Sequence, residues 1–193
     1  DIRCDIWDDS DGDDSWLLVR TPEGTLLNLN DCMVVTEQQL ATLRASTGDV
    51  DVLLTQFSIS SWDGNPEELG RRKAGAQAML DKMVRQTRGL HAKHVVPFAS
   101  FVWFCHAENA YMNEAIRPVS DAAAMLQSQT DAQPVVLYPG DRWTVGTSID
   151  SSAAIARYAA DFASLPARTP EVSPAADLPA LQQAATRFGK AVK

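Results

Sequence analysis

Residues 50–57 (VDVLLTQF) and 94–103 (HVVPFASFVW) are apolar runs of strand length, separated by a helical pattern over residues 67–88. In that pattern Leu69, Ala76, Met79, Leu80, Met83 and Val84 form one stripe, with mainly Arg, Lys and Gln opposite. A helix with such a stripe must bury it, so it lies on a sheet, and the 50–57 run reads as a strand buried on both faces. The 94–103 strand leaves regular geometry at Pro97, which has no N–H for a ladder bond.

The flanking segments extend this α/β order. Residues 16–21 (WLLVRT) and 25–30 (TLLNLN) read as a hairpin around Pro22-Glu23-Gly24, the second strand ending at Asp31-Cys32. Thr36 is placed to cap a helix over 37–45 that stops near Gly48. Helical stretches are expected over 109–114 and 119–129, then a last strand pair, 135–138 and 143–145, around Pro139-Gly140-Asp141. Seven of the first fourteen residues are Asp, a density of like charge that predicts an exposed acidic loop over 1–14. The α/β body is expected over 15–148. Residues 149–193 turn Ala- and Pro-rich, as in a helical linker or the start of a further domain.

Charge and cysteine usage narrow the function classes. Seventeen Lys plus Arg against 25 Asp plus Glu give a net charge of −8, which repels nucleic acid and anionic lipid. No apolar run approaches the roughly 20 residues of a membrane span. Three cysteines without a CxxC pair argue for free thiols in a reducing compartment, so a cytoplasmic setting is expected. The first residue is not Met, which favours reading the chain as a piece of a longer protein.

Two side chains stand out at strand exits, where α/β sheets place functional groups. Asp31 offers a carboxylate that can bind or bridge metal ions, or can merely cap the next turn. His106 offers an imidazole suited to zinc or iron, or a structural hydrogen bond. His91 and His94 form an HxxH at the start of a strand, where their rings need not converge. The acidic run 8–14 offers hard oxygens for calcium but departs from EF-hand spacing, and a solvated loop is the simpler reading. Cys105 adjoins His106, yet neighbours on an extended segment point opposite ways. Phosphate-loop, nucleotide-fingerprint, nucleophile-elbow and HExxH motifs are absent from the sequence.

Several blocks in order (LNLNDC at 27–32, DVLLTQFS at 51–58, RRK at 71–73, VPFASF at 96–101 and His106) resemble the C-terminal half of metallo-β-lactamase-fold proteins. The branch is that of CMP-N-acetylneuraminate hydroxylase and related metal-dependent hydrolases, and the resemblance covers about residues 14–146. It implies half of an αββα sandwich in which Asp31 matches a metal-bridging Asp and His106 a late histidine ligand. The family's HxHxDH motif, which belongs to its N-terminal half, is absent here. The histidine usual before the hairpin would fall near Ser10 or Asp11, neither of which is His.

The resemblance therefore implies part of a metal-dependent hydrolase, with zinc or iron as the divalent metal. Metal-activated water would attack an ester, amide or phosphodiester of a small-molecule substrate. Asp31 and His106 would be ligands, with Ser58, Trp62 and Trp103 lining the pocket. A missing N-terminal half or a partner chain would complete the site, and the chain alone would be inactive. The alternatives are a dinuclear-iron oxygenase of the same fold, or a binding and assembly module without metal. In the second case Trp16, Trp62, Trp103 and Trp143 would be interface anchors rather than core, and two copies could associate through the exposed sheet face.

Overall fold

The computed structural model describes residues 1–9 and 12–191, and side chains outside 4–13. It is a mixed α/β structure around one six-stranded sheet, with strand order following the chain: β1 (Ile2–Asp9), β2 (Gly12–Thr21), β3 (Gly24–Asn30), β4 (Val52–Gln56), β5 (His94–Phe98) and β6 (Gln133–Pro134). The first three strands pair antiparallel, and β3 to β6 pair parallel. Three helices make the parallel crossovers: α1 (Glu37–Thr47), α2 (Leu69–Gly89) and α3 (Val119–Gln129). All three crossovers step the same way across the sheet, so right-handed connections place the helices together on one face.

Strand alternation builds the core on that face. Leu18, Leu27, Leu53 and Val95 stand side by side across four strands and are fully buried against Leu40 and Leu43 of α1, Leu80 and Met83 of α2, and Leu126 of α3. Of the alternate residues Val52 is buried, whereas Leu17, Val19, Leu26, Leu54 and Val96 are only partly covered and Phe98 is exposed. Thr36 caps α1 as expected, in a capping box closed by Gln39, and Gly48 ends the helix with φ +74°. At the opposite end of the sheet the Asp51 carboxylate accepts from the Thr25 N–H and from Lys93 Nζ, both at 2.7 Å. This joins β3, β4 and β5 at their starts.

Several expectations need correction. Residues 2–9 form an edge strand, not an acidic loop; Ile2, Cys4 and Ile6 recur at the strand period, and charge on an edge strand discourages pairing with other chains. The central part of the run considered for calcium, Ser10 and Asp11, lies outside the described residues. The expected strands 135–138 and 143–145 do not form. Instead Asp141 Oδ2 accepts from the Tyr138 N–H, and Trp143 donates to the Thr147 carbonyl while its ring packs on His94. Side-chain bonds thus satisfy this backbone locally. The strand expected over 94–103 stops at Phe98, because Ala99 turns left-handed at φ +56°.

After residue 149 the chain stays on the body for one more helix, α4 (Ser152–Ser164). Its Ala154 is buried in the core, and its Tyr158 stacks on Phe101 at 4.2 Å. Only α5 (Leu178–Ala191) stands fully exposed. Of the tryptophans weighed as anchors, Trp16 is core and Trp62 is exposed.

The α1–α2 contact depends on Gly89. A Cβ there would lie 2.9 Å from Leu40 Cδ1 and 3.2 Å from Leu40 Cβ, and Leu40 is buried. Ala at a helical position ordinarily gains up to about 1 kcal/mol over Gly, whereas overpacking costs about 1–3 kcal/mol. Gly89→Ala is expected to lower stability in urea denaturation, with a net loss of about 1–2 kcal/mol, while Gly70→Ala, which meets no neighbour, is expected to be neutral or stabilising.

Candidate functional site

Because β3, β4 and β5 run parallel, their carboxyl ends open on one edge of the sheet, and the segments leaving them lie together there. Two of these exits are left-handed at residues other than glycine: Asn30 (φ +50°) and Ala99 (φ +56°). Asn accepts this conformation readily, helped by a bond from its N–H to Asn28 Oδ1; for Ala it costs about 1–2 kcal/mol. Such strain gathers at functional edges.

Asp31 follows the β3 exit. It is exposed, and Asn30 Nδ2 donates to its Oδ1 at 2.7 Å. Among the described residues it joins no group of three metal-donor side chains, and no hydrogen bond or ion pair links it to His106. Beneath this edge lies Lys82 of α2, 1% exposed, which donates to Gln56 Oε1 at 3.1 Å and approaches Met33 Sδ at 3.6 Å. Burial pushes its pKa from 10.5 down to about 8, although the negative charges of Asp31 and Asp14 favour the ammonium form.

Three further polar residues of α2 are buried, of which Thr87 only donates back to the Met83 carbonyl within the helix. Gln86 accepts from the Thr55 hydroxyl at 2.5 Å and donates to the Val34 carbonyl at 3.0 Å. Arg72 donates to the Asn65 and Pro66 carbonyls, approaches Glu114 at 3.4 Å and lies over the Tyr111 ring. The polar stripe expected to face solvent therefore sends Arg72, Lys82 and Gln86 inward. Arg72 could have been found from the sequence, since it sits at helical spacing between Leu69 and Ala76. Lys82 and Gln86 share an i, i+4 spacing but flank the apolar stripe and carry no such signal.

Ser58, expected in the pocket wall, is buried. Its hydroxyl accepts from the Arg117 N–H, and its carbonyl accepts from the Ser100 hydroxyl, which in turn accepts from the Phe57 N–H. Ser58 and Ser100 thus splice the exits of β4 and β5. Trp62 is exposed, with the Arg71 guanidinium 5.1 Å from its ring centroid. Trp103 lines a cavity of about 490 Å³ shared with Phe104, Cys105, Leu165, Pro166 and Glu171.

His106 stands beside that cavity, held by a short parallel bridge to Glu171. The Ala107 N–H donates to the Glu171 carbonyl and the Glu171 N–H to the Cys105 carbonyl, each at 2.8 Å. His106 Nε2 lies 3.6 Å from Glu171 Oε2, and the Cys105 sulfur completes a group whose donor atoms all lie within 4.8 Å of one another. Cys105 and His106 were expected to diverge as neighbours on an extended segment. They converge because the pairing is a single bridge that passes at once into a turn. Neither His91 nor His94 joins such a group among the described residues. The thiol, imidazole and carboxylate at His106 are a donor set that fits zinc; Asp31 alone does not make a site.

Lys82 has a measurable consequence. Between about pH 8 and 10.5 the unfolded chain holds the Lys82 proton and the folded chain has released it, so the contribution of Lys82 to stability rises with pH across that window. Urea denaturation is expected to show this rise, and Lys82→Met to remove it.

No protein-family model and no curated protein matches the chain. Two solved structures share part of its shape. One is a metal-dependent hydrolase of the beta-lactamase superfamily, with TM-score 0.40 and 17% identity over 70% of this chain and 41% of that one. The other is a variant of the CmlA beta-hydroxylase, with TM-score 0.38 and 12% identity over 63% of this chain and 26% of that one. The chain thus spans less than half the length of either structure.

Proposed function

We propose that this chain contributes one half of the site of a metallo-β-lactamase-fold, metal-dependent hydrolase, with Asp31 and His106 as its metal ligands. The observation that carries the reading is the shared edge at the carboxyl ends of β3, β4 and β5, where Asp31, the Ser58–Ser100 splice and the segment leading to His106 follow three parallel strands. A bound zinc or iron ion would supply a Lewis acid and activate water for attack on an ester, amide or phosphodiester. Asp31 contributes an accessible carboxylate. Trp103 and the cavity beside His106 offer an apolar wall for a small-molecule substrate. Further ligands come from an N-terminal half or a partner chain. The exposed Cys105 thiol suits a reducing, cytoplasmic setting.

A second reading, a binding module, has its own support in the partly covered sheet face of Leu54, Val96 and Phe98. Metal content separates the two. After zinc or iron loading and dialysis, Asp31→Ala and His106→Ala are each expected to lose at least about half of the bound metal while keeping the wild-type circular dichroism. Equal metal content in wild type and both variants would leave only the binding module.

A further inference from the structure

We infer that Cys105, His106 and Glu171 together bind a single zinc-class ion that clamps the segment after α4 onto the body of the domain. This shares with the preceding reading only the use of His106 as a ligand; Cys105 and Glu171 are new to it.

The donor set points to the metal. A thiolate and an imidazole exclude the hard cations calcium and magnesium, which take oxygen ligands, and leave zinc with its preference for sulfur and nitrogen. The geometry is close to what zinc needs. Bonds of about 2.0–2.3 Å at tetrahedral angles put donor atoms about 3.3–3.7 Å apart. His106 Nε2 and Glu171 Oε2 are already 3.6 Å apart, and all three donors lie within 4.8 Å of one another. The widest pair needs to close by about 1 Å, which side-chain rotation supplies because Cys105 and Glu171 are exposed and His106 is half-exposed.

The backbone needs no movement. Two 2.8 Å bonds already fix residues 105–107 against Glu171, so the three ligands enter the unbound state in near-final register. This pre-organisation distinguishes the group from a chance meeting of surface side chains. The three residues leave the fourth tetrahedral position for water or for a ligand from another chain. The ion would close a long loop, from 106 to 171, that contains α3, β6 and α4. A cross-link over such a span constrains the unfolded chain most, so zinc should raise thermal stability.

The test uses the chain as it stands, with zinc and, as a spectroscopic probe, cobalt. Zinc is expected to bind at one equivalent by calorimetry and to raise the thermal midpoint. Cobalt is expected to give a near-ultraviolet sulfur-to-metal charge-transfer band. Cys105→Ser should abolish that band, and both Cys105→Ser and Glu171→Gln should weaken zinc binding by more than about tenfold at unchanged circular dichroism. Absence of zinc binding, or binding unchanged in Cys105→Ser and Glu171→Gln, would overturn the inference. Asp31→Ala separates the two proposals. Retained zinc in that variant, with loss in Cys105→Ser, upholds the clamp and removes Asp31 from the metal. Loss in Asp31→Ala with none in Cys105→Ser does the reverse.

Discussion

Everything at the open edge of the sheet hangs from the polar side chains that α2 buries. A long polar group taken out of water must find partners, and in this fold the partners available are the loops leaving the parallel strands. Gln86 bridges the Thr55 hydroxyl at the end of β4 and the Val34 carbonyl beyond β3. Lys82, one helical turn earlier, fastens Gln56. Arg72 fastens the 65–66 turn and draws the Tyr111–Glu114 segment beside it. One helix therefore determines where three separate loops sit. Breaking these hydrogen bonds while water stays excluded would leave buried donors unsatisfied.

This arrangement also sets the local electrostatics. The chain is acidic as a whole, yet a cation lies under the very edge where Asp31 projects. Burial works against the Lys82 charge and the surrounding carboxylates work for it, so the ammonium gives up stability to keep a positive potential beneath an accessible carboxylate. An apolar side chain of the same length would pack there at lower cost. Its presence at this position is more easily understood as service to the edge than to the core.

How much of this could be read from residues alone depends on whether the signal was local. Helix α3 was legible to the residue, and α1 was legible through its cap Thr36 and its stop near Gly48, because caps and spacing are written within a few positions. The antiparallel β2–β3 hairpin was legible for the same reason. β1 was not, since its aspartates spoke for solvent while its pairing with β2 depends on a neighbour supplied by the fold. Residues 135–145 carried strand-like composition but found their partners in Asp141 and Thr147 rather than in a ladder. At the candidate site Asp31 and His106 were visible by position after strands. Lys82 was hidden in a charged helix face, and Glu171 lay 65 residues from His106 in a segment that composition marked as linker.

That last juxtaposition carries a physical lesson about the tail. Residues 165–191 bury almost nothing, and α5 buries nothing at all, so the hydrophobic effect gives this region no fixed place. Among the described residues the backbone tie from this segment to the body is the pairing at Glu171, and two hydrogen bonds at a partly exposed site contribute only about 1–3 kcal/mol net against the entropy of ordering the segment. A tie of that size sets the register of the segment but adds little to its stability. A coordinate bond set is the interaction within reach that would make it permanent, because it needs no apolar surface and only three side chains already gathered there. The ion would then strengthen an attachment whose register is already set, and with it one wall of the cavity beside Trp103.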